Sequence, residues 1–146
     1  MKELTPSQAF NIAPPRRPAV LCVQGKDGMT GMMKTEWFSW LNMKNQPMLS
    51  FSIARDAGFD LREDDKLYLT FPPVEEAQTY RKGAYAPMEN GKLPGGMQTR
   101  KVNALPVVIP AGAELVLCCT LAYAYNYPFG KVRIHNCNLD EALSLR

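Results

Sequence analysis

The most constraining feature of this sequence is a long alternation of large and small residues between Leu115 and Tyr125. The large members occupy every second position: Leu115, Leu117, Cys119, Leu121, Tyr123 and Tyr125. Successive strand residues point to opposite sides of a sheet, so a period of two predicts one long strand with its large side chains in a core. The pattern therefore favours a fold based on a sheet.

A second alternation runs from Met48 to Ala54 and is followed by Arg55. Leu49, Phe51 and Ile53 form its apolar face, and Ser50, Ser52 and Ala54 form its small face. Upstream of Pro47 lies a polar and aromatic cluster, which consists of Lys34, Thr35, Glu36, Trp37 and Phe38. We expect two strands joined by a loop, with a binding surface along the first strand and a cation at the end of the second.

The rest of the chain adds more strands and a few short helices. Further strands are predicted over 19–24, 66–71 and 131–137, the last with Val132 and Ile134 inward and His135 outward. Short helices are predicted after Asp56, over 74–82 and in a brief C-terminal segment capped by Asn138 or Asp140. The segment from Gly83 to Arg100 is expected to be a long loop, whether lid, dimer arm or mobile connection.

Length and composition favour one domain over residues 1–146. The chain has 46% hydrophobic and 21% charged residues, which suits a packed core rather than a disordered chain. Strands dominate both ends, and helices are confined mainly to the middle. We therefore expect a mainly β protein, an antiparallel closed or nearly closed barrel with two or three short helices.

The charge distribution and the cysteines restrict the expected cellular compartment and the classes of binding partner. The net charge of +3 comes from dispersed basic residues, and pairs such as Arg16 and Arg17 are more often solvated than part of a nucleic-acid groove. Pro106 and Pro110 interrupt the most apolar region, so we expect no membrane span. The four cysteines lack a disulfide-type spacing. A cytoplasmic protein without nucleic-acid or membrane partners is the expectation.

The residue inventory offers little for catalysis by side chains alone. His135 is the single histidine, and only Cys137 stands beside it on the same predicted strand face, so no metal site is expected. A serine or cysteine hydrolase needs a nucleophile, a base and an orienting group, but the chain has no G-x-S-x-G pattern and only one histidine. A carboxylate such as Glu36 in a pocket stays open as an acid or base. A cofactor that supplies its own chemistry fits this shortage.

Arg55 is the best candidate for a phosphate contact in the sequence. It follows a strand and precedes a predicted helix, whose first N–H groups and dipole would attract an anion. Its forked guanidinium is suited to phosphate. The alternative is a surface arginine paired with Asp56 or Glu63, and the residues do not choose between the two.

The order of these segments resembles the flavin reductase-like family of FMN-binding split barrels. The likeness rests on the Pro-rich entry at 14–18, the strand at 19–24, the turn residues Asp27 and Gly28, the segment at 35–38, Pro47 with its alternating strand, and the strand ending in ProPro at 66–73. The resemblance implies a split β-barrel. It covers mainly the first half of the chain.

The resemblance also implies a cofactor and its site. Lys34, Thr35, Glu36 and Trp37 would run beside the flavin ring, largely through backbone groups, and Arg55 would hold the phosphate. The implied cofactor is FMN or FAD, with NAD(P)H as reductant, in a homodimer with flavin sites at the interface. A carboxylate such as Glu36 near the flavin would disfavour its anionic reduced form.

Three functions follow from this comparison. The first is a flavin reductase-like oxidoreductase that passes electrons from NAD(P)H or a protein donor to flavin. The second is a non-catalytic flavin-binding electron carrier. The third is an all-β interaction domain of the same fold without flavin.

Overall fold

The computed structural model describes residues 1–25, 28–57, 59–80, 84–87 and 98–146. Among these residues, the strands are β1 (Lys2–Leu4), β2 (Val20–Gln24), β3 (Met29–Lys34), β4 (Trp37–Asn42), β5 (Met48–Ala54), β6 (Lys66–Thr70), β7 (Ala84–Pro87), β8 (Thr99–Lys101), β9 (Val108–Pro110), β10 (Leu115–Asn126) and β11 (Val132–Ser144). The helices are α1 (Pro6–Ile12) and α2 (Val74–Ala77), and a 3-10 turn spans Arg55–Ala57.

One antiparallel sheet dominates the molecule, as the alternating segments predict. Its strand order is β4-β5-β11-β10-β6-β2-β3-β7, with β1 paired to the end of β11, while β8 and β9 form a separate ribbon. The sheet curls because β3 runs directly into β4 at Thr35 and Glu36. Lys34 still pairs with Val20 of β2, whereas Trp37 already pairs with Ser52 of β5. The result is the expected split barrel with two short helices.

The barrel buries two apolar clusters on opposite faces of the sheet. The inner cluster includes the apolar face of β5 and half of β10. The second cluster lies where α2 and residues 105–113 cover the outer face of β2 and β10. Because residues 20–23 of β2 are buried on both faces, their sequence is continuously apolar and shows no alternation.

The two predicted strands around Pro47 are confirmed. β4 and β5 pair along their length, and Leu49, Phe51 and Ile53 are buried in the inner cluster. Ser50 and Ser52 are buried as well, so β5 is covered on both of its faces.

The prediction that the large residues of β10 face the core is correct only up to Leu121. The register against β11 shifts between Leu121 and Tyr123, which leaves Ala122 as an extra residue. Beyond this bulge, Ala124 packs against the inner cluster, and Tyr123 and Tyr125 are exposed. The bulge exchanges the inner and outer faces of β10. The alternation in the sequence continues unchanged through it, and it therefore predicted the wrong face for Tyr123 and Tyr125.

The predicted faces of β11 were also wrong. His135 and Cys137 are fully buried, and Val132 and Ile134 are half-buried. His135 pairs with Phe51 and Cys137 with Leu49, so both lie opposite inward-facing residues of β5. The prediction put His135 on the outer face because its side chain is polar. In the structure, the register with β5 places it in the core.

Two predicted helices are strands or irregular chain. Among the described residues after Asp56, the 3-10 turn ends at Ala57 and residues 59–65 are irregular; Phe59 packs against Gly31 so closely that a Cβ there would meet its ring. Asp64 adopts a positive φ of 71°, and its N–H bonds to the carbonyl of Leu121. The C-terminal segment continues β11 to Ser144 instead of forming a helix, because it pairs with β10 and β1.

Other differences lie at the chain's start and middle. The first residues form β1 and α1, whose Thr5 and Gln8 make a capping box that was visible as T-P-S-Q in the sequence. Part of the predicted loop from Gly83 to Arg100 is strand, since β7 pairs with β3. The rest of that loop lies mainly outside the described residues. Neither helix in the described chain is long and apolar enough to cross a membrane.

Candidate functional site

Lys34, Thr35, Glu36 and Trp37 form the corner where the chain passes from β3 to β4. Thr35 is buried there, and its N–H donates to the Ala19 carbonyl at 2.9 Å. Its hydroxyl accepts from the Ala19 N–H at 3.3 Å. The Glu36 N–H donates to the Ser52 carbonyl at 2.7 Å. These bonds occupy the backbone on both sides of the corner, so its geometry is fixed by β2 and β5.

A cavity of about 120 Å³ opens at this corner. We call it the corner cavity; its lining is Arg16, Arg17, Pro18, Lys34, Thr35, Glu36, Trp37, Phe38 and Gln78. The cavity thus brings together four of the five residues that were predicted from the sequence to bind a cofactor. The loop before β2 supplies two arginines that the sequence reading had treated as solvated.

The two adjacent arginines of this loop have different roles. Arg17 is only 15% exposed, and its guanidinium donates to the carbonyls of Ile12 and Pro72 and to the Glu114 carboxylate. Arg146 also donates to Glu114, at 3.0 Å, and these two arginines hold the pKa of that carboxyl below its usual range, Arg146 more strongly. Arg17 therefore fastens the loop to the barrel. Arg16 is exposed.

Cationic groups outnumber acidic ones in the corner cavity. Glu36 is the one carboxylate among the residues that line it, against Arg16, Arg17 and Lys34. Within the described chain, no ion pair of 4 Å or less joins Glu36 to any of these cations. The cavity is thus suited to an anionic group.

Trp37 gives the corner an exposed aromatic surface. Its side chain is 41% exposed, whereas the next residue, Phe38, is fully buried against Phe71 and Trp40. An exposed indole face is able to stack on a flat ring system. The corner therefore combines an indole face with adjacent cations.

Arg55, the fifth predicted residue, does not line the corner cavity. It lies three residues beyond Ser52, at the end of β5, and its guanidinium donates to the carbonyls of Tyr127 and, at 3.3 Å, Val132. Its N–H also donates to the Lys131 carbonyl at 3.0 Å. These contacts hold the β10–β11 hairpin against the end of β5. The two alternatives from the sequence, phosphate contact or acid pairing, did not include this one.

Activated nucleophiles are scarce in the described chain. Burial raises the pKa of the Cys22, Cys118 and Cys137 thiols to about 12 and moves that of Cys119 in the same direction. Burial, with the charge of Arg133 second, lowers the pKa of His135 to about 4. No group of three or more metal-binding side chains clusters among the described residues. The protein's own side chains thus offer positioning and charge.

Two other openings border the barrel. A cleft of about 540 Å³ meets the corner cavity at Arg16, Arg17 and Pro18 and extends to Ile12, Val74 and Arg146. A larger cleft of about 820 Å³ lies near the other ends of β2 and β3, lined by apolar residues such as Phe59 and by Asp60, Asp64 and Asp65. The corner cavity and the 540 Å³ cleft form one basic region of the surface.

Comparison with solved structures shows the fold. The NADH:FAD oxidoreductase of Streptomyces globisporus C-1027, solved with NAD and FAD fragments, matches 94% of this chain and 80% of its own, with a TM-score of 0.65 and 14% identity. Flavoredoxin from Methanosarcina acetivorans matches 90% of this chain and 70% of its own, with a TM-score of 0.63 and 17% identity.

A third similar structure is the FMN-binding protein from Thermus thermophilus with bound p-hydroxybenzaldehyde. It matches 91% of this chain and 74% of its own, with a TM-score of 0.63 and 14% identity. No protein-family model and no curated sequence matches this chain. The split-barrel fold of flavin reductases and FMN-binding proteins, which the sequence resemblance implied, is therefore confirmed.

Proposed function

We propose that this chain, which has the split-barrel fold of flavin reductases and FMN-binding proteins, binds FMN or FAD and passes electrons to it from NAD(P)H or a protein donor. The observation that carries the proposal is the corner between β3 and β4. There an exposed indole lies beside Arg16 and Lys34, which make no ion pair within the described residues, on a fold that the Streptomyces, Methanosarcina and Thermus flavin proteins share.

The residues at the corner fit a flavin in part. The corner cavity is smaller than the roughly 300 Å³ at which ligand pockets begin, so Lys34 to Trp37 would hold the ring system outside the cavity. Trp37 contributes its exposed face, and buried Thr35 keeps the corner rigid through Ala19. A bound flavin would accept and release electron pairs, and the chain orients and charges its surroundings.

Glu36 and the cations have opposite electrostatic effects at this site. The Glu36 side chain is exposed at the corner, and its negative charge disfavours an anionic ring beside it. Arg16 and Lys34 favour one. Arg55, at the end of β5, stays the residue predicted for the flavin phosphate.

A second copy of the chain completes the proposed assembly. Tyr123, Tyr125, Tyr127 and Phe129 form an exposed aromatic set on the β10–β11 hairpin, which we call the aromatic hairpin. Arg55 connects this hairpin to the end of β5, beside the strand that carries Trp37. A homodimer that buries the aromatic hairpin would border both flavin sites.

Flavin binding is tested by visible absorption of the purified protein after FMN is added and the excess removed. We expect a retained flavin band, and replacement of Trp37 by Ala is expected to weaken binding by about tenfold, since one stacking contact contributes on the order of 1–3 kcal/mol. Leu41→Ala, an exposed apolar truncation at the other end of β4, is the matched control.

Turnover separates the enzyme from the carrier. Sustained oxidation of NADH or NADPH by the loaded protein supports the reductase, whereas bound flavin without turnover supports an electron carrier such as the name flavoredoxin describes. A protein that retains neither FMN nor FAD contradicts both functions and leaves the interaction domain.

A further inference from the structure

Arg16 adopts a backbone conformation that its side chain does not favour. Its φ is 71°, in the left-handed region where glycine, asparagine and aspartate are the usual residues. The other two non-glycine residues with positive φ in the described chain are Asn45 and Asp64, which tolerate it. Arginine is thus the exception.

The strain at Arg16 is set by the turn and by β4. Pro14, Pro15, Arg16 and Arg17 form a turn closed by a bond of 3.1 Å from the Arg17 N–H to the Pro14 carbonyl. Proline at the second position and positive φ at the third are typical of a type II turn, whose third residue is normally Gly or Asn. The Arg16 N–H donates to the Phe38 carbonyl at 2.8 Å, which fixes the turn against β4.

A strained residue of this kind indicates a role for its side chain. Holding a non-glycine residue at positive φ costs on the order of 1 kcal/mol, and such strain is concentrated at ligand-binding sites. Arg16 makes no side-chain hydrogen bond or ion pair within the described chain, and neither does Lys34, which lines the same cavity. Arg16 and Lys34, two cations without a side-chain partner in the described chain, therefore line the same small cavity.

The size of that space suits one oxyanion. A volume of about 120 Å³ equals about four water molecules at roughly 30 Å³ each. Arg16 also borders the adjoining 540 Å³ cleft, so a ligand bound through its anionic group has room to extend away from the corner. Arg55, in contrast, already donates to two carbonyls.

From these observations we infer that Arg16 and Lys34 form a phosphoryl-binding subsite at the corner cavity, separate from Arg55. The phosphoryl group belongs to the nicotinamide dinucleotide or, in place of the contact predicted for Arg55, to the flavin nucleotide, and both present the same chemistry. The inference rests on the proposed function for the source of the phosphate, and the cavity's own anion binding is independent of it.

The test uses Arg16→Asn, Lys34→Gln and the rescue variant Arg16→Lys. Asparagine accepts the left-handed conformation, so Arg16→Asn is expected to melt at the same or a higher temperature than the parent. Arg62→Gln and Lys44→Gln, both exposed and away from the corner cavity, are the matched controls. If Arg16→Asn binds anions more weakly and yet melts at the same or a higher temperature, the loss of affinity is due to the missing guanidinium and not to a less stable fold.

Calorimetric titration with inorganic pyrophosphate probes the subsite without any flavin. We expect Arg16→Asn and Lys34→Gln each to weaken binding by at least tenfold, Arg16→Lys to restore most of it, and both controls to bind like the parent. A parent protein that binds no pyrophosphate, or variants that bind as the parent does, would overturn the subsite.

The source of the phosphate is read from paired ligands. If it is the flavin's, Arg16→Asn lowers the affinity for FMN to that for riboflavin and leaves riboflavin unchanged. If it is the dinucleotide's, both flavins bind as before, and the KM for NAD(P)H rises with kcat unchanged. Pyrophosphate binding that depends on Arg16, in a protein that binds no flavin, contradicts the proposed function and supports the subsite.

Discussion

His135 is a fully buried histidine whose ring lies parallel to Phe51, with 5.0 Å between the ring centroids. Neither ring nitrogen has a hydrogen-bond partner within the described chain. A charge placed there would be desolvated, with Arg133 nearby to repel it, which is why the pKa of His135 falls to about 4. The folded protein therefore needs this imidazole to be neutral.

This residue predicts a loss of stability in mild acid. Because the folded pKa of about 4 lies below the ordinary value of 6.5, the unfolded chain takes up the proton first as the pH falls through that interval. The contribution of neutral His135 to the free energy of unfolding is complete above about pH 6.5 and is lost progressively as the pH falls toward 4. Denaturant titration is expected to give a free energy of unfolding about 2–3 kcal/mol lower at pH 4.5 than at pH 7.5.

His135→Phe is the variant that isolates this effect. Its ring keeps the contact with Phe51 and has no proton to gain, so its stability is expected to change less over the same interval. Glu114 and other carboxylates contribute equally to both proteins. Identical pH dependence in the two would contradict the assignment to His135.

At the scale of secondary-structure elements, the β10–β11 hairpin shows how pairing decides which side chains are exposed. A bulge at Ala122 turns Tyr123 and Tyr125 outward, where their rings stack with 6.3 Å between centroids. Near the tip, Tyr127 and Phe129 contact each other edge to face. Arg55 joins this hairpin to β5 through backbone carbonyls.

Arg55 is therefore expected to have a structural effect that does not depend on flavin. Arg55→Leu removes its side-chain donors to Tyr127 and Val132, and we expect a free energy of unfolding about 1 kcal/mol lower. Hydrogen exchange should become faster in the hairpin. Arg62→Leu, whose exposed partner is Asp60, is the control and should change neither measurement.

The same variant bears on the phosphate prediction. Loss of flavin from Arg55→Leu without faster exchange in the hairpin would support a direct phosphate contact. Loss of flavin together with faster exchange would point to the hairpin's position instead. Unchanged stability and exchange would contradict the structural role.

At the scale of the whole molecule, the sheet of the described residues has two edge strands and an exposed aromatic surface. Within the described chain, β4 and β7 end the strand order, and each pairs with one neighbouring strand. The aromatic hairpin adds Phe129, which is 87% exposed. Edge strands and clustered exposed rings both favour association with another chain.

The proposed dimer predicts a sedimentation-equilibrium mass of twice 16.3 kDa. Replacing Tyr123 and Tyr125 by Lys is expected to shift the protein toward the monomer, because it puts charge into the buried surface. Glu3→Lys, a charge change at an exposed residue of β1, is the control. A parent that sediments as a monomer at micromolar concentration would contradict the dimer.

The sequence by itself determined the strands whose alternation is long, including β5 and most of β10, because successive strand residues point to opposite faces and the large side chains share one of them. It also indicated the polar corner from Lys34 to Trp37. It misjudged short segments such as the one after Asp56, where a helical reading competes with pairing to distant residues.

Only the tertiary structure decided which face of β11 carries His135, where Tyr123 and Tyr125 point, and what Arg55 contacts. His135 and Arg55 depend on the register between β5 and the distant β11, and the two tyrosines depend on a bulge in the β10–β11 hairpin, which reverses the side chains beyond it. The difference between Arg16 and Arg17 is of the same kind. These two identical neighbours in the sequence differ because the Arg17 side chain is held by Glu114, whereas Arg16 has a positive φ and makes no side-chain bond within the described chain.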